Sequence, residues 1–220
     1  MGKLRLQLKY FHKPLFGWKG SYVVTQLCAE RRVSFDHGPD GSVAEDCFFS
    51  MVAQSRHPDM TFDFIEGEMY EKSPFSLWDF LQQRKRWLQG IFLVVHSRAI
   101  PWLQKPLIAC MFYAWLTLPL AMLNLLLAPI YPLPCHPALD ALVAYVGAVN
   151  SYMYAFGAYK SFGRRHKRRR PVCHLGLCLL GALLIAPLNG LVESVAVLWG
   201  IFGRKHQFYV VRKESVLFNV

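Results

Sequence analysis

The stretch that most constrains the fold is residues 106–131, PLIACMFYAWLTLPLAMLNLLLAPIY, which contains no charged side chain. As an α-helix it would be about 39 Å long, which exceeds the ~30 Å thickness of a bilayer's hydrocarbon core. Two further apolar stretches follow at residues 138–159 and 173–203. A chain of this kind is expected to place its second half in a membrane, since so much contiguous apolar surface has no other favourable solvent.

The third apolar stretch is interrupted by Pro187, Gly190 and Glu193. Proline and glycine weaken a helix interior, so the pattern is compatible either with one long span or with a span followed by an interfacial helix. The sequence therefore predicts an α-helical transmembrane bundle of two to four spans over residues 106–203, with a C-terminal tail at 204–220.

Charge asymmetry indicates the orientation of this bundle. The connection PLPCHP after the first stretch has no Lys or Arg, whereas RRHKRRR at residues 164–170 follows the second. By the positive-inside rule the basic loop is cytosolic, so residues 1–104 are predicted to be cytosolic too. We interpret the loop as a topology determinant that contacts anionic lipid, and assign it no substrate contact.

The composition supports a membrane protein with cationic cytosolic parts. The 220 residues are 54% hydrophobic, and 25 Lys and Arg outnumber 14 Asp and Glu, which gives a net charge of +11. The basic residues are not interleaved with aromatic ones, and no zinc-finger or RNP signature occurs, so nucleic acid is not a predicted partner. The six cysteines contain no C-x-x-C pair, which argues against a disulfide or zinc framework.

Residues 1–72 have the mixed pattern of a soluble α/β portion. GSYVVTQL at 20–27 and MTFDFIEGEMY at 60–70 predict strands, because they are β-branched or alternate apolar with polar residues. Ser42, three residues before Glu45, predicts a capping box that opens a helix over residues 43–54. Asp46 then lies in the first turn, where the helix N-terminus stabilises its ionised form.

Residues 73–98 predict an amphipathic helix beside the membrane. Ser73 is suited to cap it, and Pro74 is suited to its first position. Arg84 falls on the apolar side, where it either snorkels or pairs with another group. One face carries apolar side chains, and the adjoining face carries polar, aromatic or small residues: Asp79, Gln83, Arg86, Trp87 and Gly90. Taken alone, this face is also compatible with an interfacial helix whose Arg and Trp anchor at lipid headgroups.

The spacing Gln83-x-x-Arg86-Trp87 resembles the Q-x-x-R-W signature of membrane-bound family 2 glycosyltransferases, and here too it lies before an apolar stretch and after an acidic Glu45-Asp46 pair. The segments KGSYVVTQ, VSFDHGPDGSVAEDCFF, FIEGEMYEKSPFSLWDFLQQRKRWLQGI and FYVVRK are similar to the egghead-type β-1,4-mannosyltransferases of invertebrates. The resemblance covers essentially the whole chain. It implies that residues 1–72 are the acceptor-side part of a GT-A catalytic domain without its N-terminal nucleotide half.

The resemblance also implies roles for particular residues. Asp46 corresponds to the catalytic base, with Glu45 beside it as an acceptor-orienting partner, while Asp46 by its position alone could be an ordinary first-turn helix charge. Gln83 and Arg86 would bind the donor diphosphate, and Trp87 would bind the acceptor sugar. Gly20 and Ser21 match the Gly-Ser beside the acceptor site, although Gly20 is equally compatible with a turn that leads into a strand.

Substrates, cofactor and location follow from the same resemblance. It implies transfer of mannose from GDP-mannose to glucosylceramide or another lipid-linked acceptor, in the Golgi or endoplasmic reticulum, with Mn²⁺ or Mg²⁺ as cofactor. No Asp-x-Asp occurs in the 220 residues, so no metal ligand is assigned, and the chain is expected to be a fragment or a short isoform. Two alternatives stay open: another family 2 membrane glycosyltransferase or polysaccharide synthase, and a non-catalytic short membrane protein.

Overall fold

The computed structural model describes residues 5–18, 23–65, 74, 76–131, 134, 136–163 and 172–204. Its regular elements, in chain order, are a π-helical turn at Leu6–Tyr10, α1 at Leu27–Val33, a helical turn at Gly38–Gly41, a 3₁₀ turn at Ser42–Ala44, α2 at Glu45–Arg56, α3 at Leu77–His96, a 3₁₀ turn at Trp102–Gln104, α4 at Pro106–Leu116, α5 at Leu118–Leu127, α6 at Pro137–Gly163 and α7 at Val172–Phe202. The chain divides into two compact units, Met1–Thr117 with Val195–Val220, and Leu118–Ser194.

The two strand predictions are wrong for the residues that the structure describes. Residues 23–26 and 60–65 have no regular structure, and α1 begins at Leu27, inside the first predicted strand. An extended segment becomes a strand only when a neighbouring segment accepts and donates its backbone hydrogen bonds. Within the described ranges the one bridge of this kind joins Leu15 to Gly17. The α/β character expected of a GT-A domain is therefore not observed in this part of the chain.

The core of the first unit is built around α2. Its residues Cys47–Ala53 are all buried, so the helix is surrounded rather than amphipathic. Phe49 stacks on Phe35 with ring centroids 4.3 Å apart and on Trp18 at 5.5 Å. Trp18 in turn meets Phe62 edge to face at 5.3 Å. These contacts hold the segments before and after α2 against its buried side, and offset or edge-to-face aromatic pairs are the favoured geometries.

The N-terminal turn is held by a buried polar side chain. Gln7 is fully buried; its Nε2 donates to the carbonyl oxygen of Gly17 at 2.5 Å, and its Oε1 accepts from the backbone N–H of Phe16 at 2.7 Å. Both ends of the amide are thereby paired, which removes the penalty for burying it. Gln7 thus fixes the loop that brings Gly17 back toward α2.

The predicted amphipathic helix exists as α3, but it begins later than expected. Its N-cap is Ser76, whose Oγ accepts a hydrogen bond from the backbone N–H of Asp79 at 3.0 Å. Pro74 precedes the helix instead of occupying its first position, and Ser73 lies outside the described residues. Ser76 Oγ also donates to the Asp79 carboxylate at 2.7 Å, which adds a contact between the two side chains to the cap.

The last turns of α7 pack on α3 within the first unit. Gln89 Nε2 donates to the carbonyl oxygen of Gly200 at 2.7 Å, and Lys85 Nζ lies 4.5 Å from the ring centroid of Trp199. A Cβ on Gly200 would lie 2.5 Å from Leu88 Cδ2, so a larger residue there would displace the end of the Leu88 side chain. The C-terminal half of α3 is consequently the better buried half, with Leu88, Gly90, Val94 and Val95 enclosed.

In the second unit, long apolar helices leave most of their large side chains exposed. Those exposed on α6 include Leu142, Tyr145, Tyr152 and Phe156. A close contact within the unit joins α5 to α7, where a Cβ on Gly190 would lie 2.7 Å from Met122 Sδ. Exposed apolar faces of this extent are suited to contact with lipid.

By length and hydropathy, Cys173–Phe202 is a candidate membrane span among the described residues. It is one continuous helix through Pro187, so the expected interruption is not observed. Helices α4 and α5, separated by Thr117, pass the same test only as a bent pair, and Asp140–Val149 is a shorter apolar stretch. The number of spans predicted from the sequence stays a prediction, and the basic loop at 164–170 lies outside the described residues.

Candidate functional site

The acidic pair lies at the start of α2, as the sequence predicted. Glu45 and Asp46 occupy the first turn and are partly buried. Asp46 Oδ1 accepts a hydrogen bond from the backbone N–H of Cys47 at 2.7 Å. This hydrogen bond fixes the orientation of the Asp46 side chain at the edge of the core.

The predicted capping box at the start of α2 is wrong. The N-cap is Ala44, with φ −137° and ψ 58° and no side-chain cap, and Ser42 opens a separate 3₁₀ turn. The physical reason is a tertiary contact, because the Val43–Ala44 backbone is pressed against α3. Packing at Val43 and Ala44 thus accompanies the later start of this helix.

That contact is made at Gly90 of α3. A Cβ on Gly90 would lie 2.6 Å from Ala44 Cβ, 3.3 Å from the Val43 carbonyl oxygen and 3.4 Å from Ala44 N. No side chain larger than hydrogen fits between the two backbones at this point. Gly90 is therefore the residue that lets α3 approach the turn immediately before Glu45.

The contact at Gly90 also indicates which side of α3 carries the predicted diphosphate- and acceptor-binding residues. Residues three, four and seven positions apart lie on the same helix face, so Trp87, Arg86 and Gln83 share the face of Gly90. This face is the one turned toward the start of α2. The contact at Gly90 therefore places this side of α3 against the turn before Glu45. That Gln83, Arg86 and Trp87 form one site with Glu45 and Asp46 stays a prediction.

Arg84 does not snorkel away from the protein. Its guanidinium carbon lies 4.7 Å from the ring centroids of both Phe80 and Trp87. A guanidinium over aromatic faces contributes about 0.5–1 kcal/mol at exposed sites and more when it is desolvated. Arg84 therefore helps to fix the orientation of the Trp87 ring, a role that the sequence interpretation had left open.

Cys47, the neighbour of Asp46, has a structural role. Burial, reinforced by the charge of Asp46, strongly raises the pKa of the Cys47 thiol, which stays protonated and unreactive at neutral pH. Gly17 packs against it in a left-handed conformation with φ +71°, and a Cβ there would lie 2.6 Å from Cys47 Sγ. The Gly17 turn and the start of α2 are thus locked together.

Two of the predicted acceptor residues, Gly20 and Ser21, lie outside the described residues. In the part of the chain that the structure describes, no three His, Cys, Asp or Glu side chains converge as metal ligands do. The described residues therefore lack the cluster of oxygen ligands that a divalent cation needs.

Sequence reasoning missed the importance of Gly90 and the aromatic partners of Arg84. A signal was present for the first, since glycine in the interior of a helix costs about 1 kcal/mol relative to alanine and usually has a packing reason. For the second, Phe80 and Trp87 lie four and three positions from Arg84, which is contact distance on a helix.

Comparisons with known proteins agree with the resemblance read from the motifs. Residues 1–160 match the family model described as Glycosyl transferase family group 2. The chain is 61% identical to Beta-1,4-mannosyltransferase bre-3 of Caenorhabditis briggsae, 60% identical to bre-3 of Caenorhabditis elegans and 58% identical to Beta-1,4-mannosyltransferase egh of Drosophila melanogaster, over 97% of its own length in each case. No solved structure matches the chain.

The chain spans about half the length of these curated relatives, 46% of each. The family match covers the start of α2, the whole of α3 and most of α6, so it includes every element of the candidate site. On the family model and the identity of its relatives, the chain belongs to glycosyl transferase family group 2.

Proposed function

We propose that these residues contribute the acceptor side of a mannosyltransferase that moves mannose from GDP-mannose to glucosylceramide, with inversion and a β-1,4 linkage. Support comes from three relatives that are named β-1,4-mannosyltransferases and are 58–61% identical over 97% of the chain. The observation that carries the proposal is the close approach of Gly90 to Ala44, because Gly90 follows the Q-x-x-R-W motif and Ala44 precedes the acidic pair.

Asp46 is proposed as the general base. An inverting transfer needs a group that takes the proton of the acceptor hydroxyl as that oxygen attacks the sugar, and a carboxylate within hydrogen-bond reach is suited to this. Asp46 is partly buried in the first turn of α2. Glu45, next to it in the same turn, is proposed to orient the acceptor.

Arg86 and Gln83 are proposed to bind the departing nucleoside diphosphate. Negative charge grows on the diphosphate as the glycosidic bond breaks, and an Arg fork meets phosphate oxygens in a bidentate way. Both residues lie on the side of α3 that carries Gly90, and Gly90 contacts the turn before Glu45, which supports this assignment. The sugar donor and the acceptor would then bind between the start of α2 and the middle of α3.

Trp87 is proposed to bind the acceptor sugar through its flat apolar ring, together with Gly20 and Ser21. The ring is ordered by Arg84, which supports a platform role. A glycolipid acceptor keeps its tails in the bilayer, and the candidate span Cys173–Phe202 supports a membrane setting. We further propose a Golgi or endoplasmic reticulum membrane, with residues 1–104 on the cytosolic side.

The test of donor and acceptor uses a complete enzyme. The chain replaces the matching segment of the Caenorhabditis elegans relative, and membranes that contain this chimera are supplied with GDP-mannose, UDP-glucose or UDP-N-acetylglucosamine and with glucosylceramide. Formation of mannosyl-β-1,4-glucosylceramide from GDP-mannose alone is the expected result. Transfer from a UDP-sugar instead would favour another family 2 membrane glycosyltransferase.

The test of the base compares two aspartates with the same local hydrogen bond. Asp63 Oδ1 accepts from the backbone N–H of Phe64 at 2.7 Å, just as Asp46 accepts from its neighbour, but Asp63 is exposed. Asp46→Asn in the chimera is expected to lower kcat about 10²–10⁴-fold, the range typical of general-base loss. Asp63→Asn is expected to retain activity. Equal activity of Asp46→Asn and the parent would reject Asp46 as the base.

A further inference from the structure

A basic cavity lies between the end of α2 and the end of α3. It has a volume of about 490 Å³, and its cationic or potentially cationic lining residues are Arg56, Arg98, His37 and His96. None of the lining residues is acidic. Cations that converge without a carboxylate to neutralise them attract a phosphate, since Arg binds its oxygens through charge-assisted hydrogen bonds.

An apolar cavity adjoins it on the other side of α3. This second cavity measures about 410 Å³ and is enclosed by α3, α4 and the last turn of α7, with Leu88, Phe92, Phe112, Leu116 and Ile201 among its lining residues. Leu93 and His96 line both cavities. The two spaces are therefore neighbours, one cationic and one apolar, each within the 300–1,000 Å³ typical of ligand sites.

Each cavity is lined by one residue that has a buried polar atom without a hydrogen-bond partner among the described residues. These atoms are His37 Nε2 on the basic side and Gln89 Oε1 on the apolar side. Buried polar atoms are almost always paired, so a small shift of either side chain would offer this atom to a ligand in the neighbouring cavity. Burial, followed by the charge of Arg56, lowers the pKa of His37, so Arg56 and Arg98 rather than this ring supply the positive charge of the basic cavity.

His96 is held rigidly at the boundary between the cavities. Its Nδ1 lies 2.9 Å from the carbonyl oxygen of Phe92, and its Nε2 lies 3.1 Å from the hydroxyl of Tyr113. Because a carbonyl oxygen only accepts, Nδ1 carries a proton, and the Tyr113 hydroxyl donates to Nε2 in the neutral ring. The boundary thus has a fixed polar edge that faces a charged space on one side and an apolar space on the other.

We propose that the two cavities together bind one anionic membrane phospholipid, with its phosphate beside Arg56 and Arg98 and an acyl chain in the apolar cavity. A soluble phosphate would use only the basic half, whereas an amphiphile uses both. Ile201 belongs to the last turn of the candidate membrane span, so the apolar half lies where acyl chains are available. The proposed glycolipid acceptor is neutral, so this lipid would be an additional ligand rather than the substrate.

The cationic residues of the proposed lipid site lie away from the residues assigned to transfer. Arg56 is ten residues from Asp46 on α2, and His96 is ten residues from Arg86 on α3. Each separation corresponds to about 15 Å along the helix axis. Loss of the lipid site would therefore leave the donor and acceptor contacts in place, which makes the two proposals separable by experiment.

The headgroup is tested by lipid binding to the purified 220-residue chain in detergent, measured by native mass spectrometry without any donor or acceptor. Dioleoyl phosphatidic acid is expected to bind at least tenfold more tightly than dioleoyl phosphatidylcholine. Arg56→Gln/Arg98→Gln is expected to remove this preference. The matched control is Arg31→Gln/Arg32→Gln on α1, which removes the same two charges from exposed positions away from the cavities and is expected to keep it.

The acyl-chain half is tested by filling the apolar cavity. Ile201→Trp is expected to weaken binding of dioleoyl phosphatidic acid at least tenfold but to leave dihexanoyl phosphatidic acid nearly unchanged. Phe202→Trp is the control, because Phe202 is exposed and lines neither cavity.

Three outcomes would overturn the proposal. The first is equal binding of the two dioleoyl lipids, or an equal effect of the two double-arginine variants. The second is competition by glycerol 3-phosphate as effective as that by the lipid, which would indicate a soluble phosphate ligand. The third is displacement of the lipid by GDP, which would assign the basic cavity to the nucleotide donor.

Discussion

The two compact units are both rich in apolar side chains, yet they use them in opposite ways. In the first unit seven consecutive residues of α2, Cys47–Ala53, are buried. Gly90 of α3 closely approaches the turn just before α2. In the second unit Leu184 on α7 is 71% exposed, and glycines such as Gly181 have open space where a Cβ would be. The first unit is organised by its own packing, and the second presents apolar surface outward, as a lipid-facing segment does.

The largest effect is expected from truncating a core side chain. Met51 is fully buried, so Met51→Ala is expected to lower the free energy of unfolding by about 2–5 kcal/mol through lost burial and a new cavity. Leu184→Ala, in the second unit, is expected to cost far less because the side chain is already exposed. Both are measured by detergent-titrated unfolding followed by circular dichroism, and equal costs would contradict the contrast between the units.

A smaller effect is expected from adding a single methyl group to a helix glycine. Gly90→Ala is expected to destabilise the chain by about 1–3 kcal/mol, because its Cβ would meet Ala44 and push α3 away from the start of α2. Gly181→Ala adds the same atom in open space and is expected to be neutral or stabilising by up to about 1 kcal/mol.

The same pair of variants also sharpens the functional proposal. In the chimeric enzyme Gly90→Ala is expected to reduce turnover, since it displaces Asp46 from the Arg86 face, while Gly181→Ala is expected to retain it. Unchanged stability and turnover of Gly90→Ala would show that the close contact is not required.

The smallest effect is expected from pH. Burial, with a smaller contribution from Arg56, lowers the pKa of His37 in the folded chain, although a hydrogen bond with Ser34 and the charge of Asp36 oppose this. The unfolded chain, in which the His pKa is about 6.5, therefore binds the proton more readily. The stability due to His37 is present above about pH 6.5 and is lost as the pH falls through the lower folded value.

This prediction is checked by comparing the parent with His37→Gln. The unfolding midpoint of the parent is expected to fall more steeply between pH 7 and pH 5 than that of the variant. An identical slope in the two proteins would mean that His37 does not contribute to the pH dependence.

The sequence predicted the elements whose signals are local. The amphipathic helix with Gln83, Arg86 and Trp87 on one face follows from side chains at helical spacing, and the acidic first turn follows from a turn signal before an apolar run. The long apolar stretch from Cys173 also emerged as a helix that is able to cross a bilayer.

The predictions from the sequence were wrong where contacts between distant segments determine the secondary structure. The extended segments near Val24 and Phe62 have the composition of strands but no neighbouring strand within the described ranges. Helix α2 begins at Glu45 instead of the predicted residue 43, and Gly90 packs against the turn that precedes it. A capping pattern is worth about 1 kcal/mol, which a packed backbone contact readily outweighs.

By itself, then, the sequence determined the identity of the chemical groups and their order along the chain, because Q-x-x-R-W and Glu45-Asp46 are recognisable without any structure. Only the tertiary structure decided that α3 contacts the turn before Glu45, since this depends on Gly90 leaving room for Ala44. It likewise decided that the basic and apolar cavities adjoin at His96, forty residues from Arg56. Such juxtapositions arise from packing between elements, and packing is the part of the energy that local pattern does not contain.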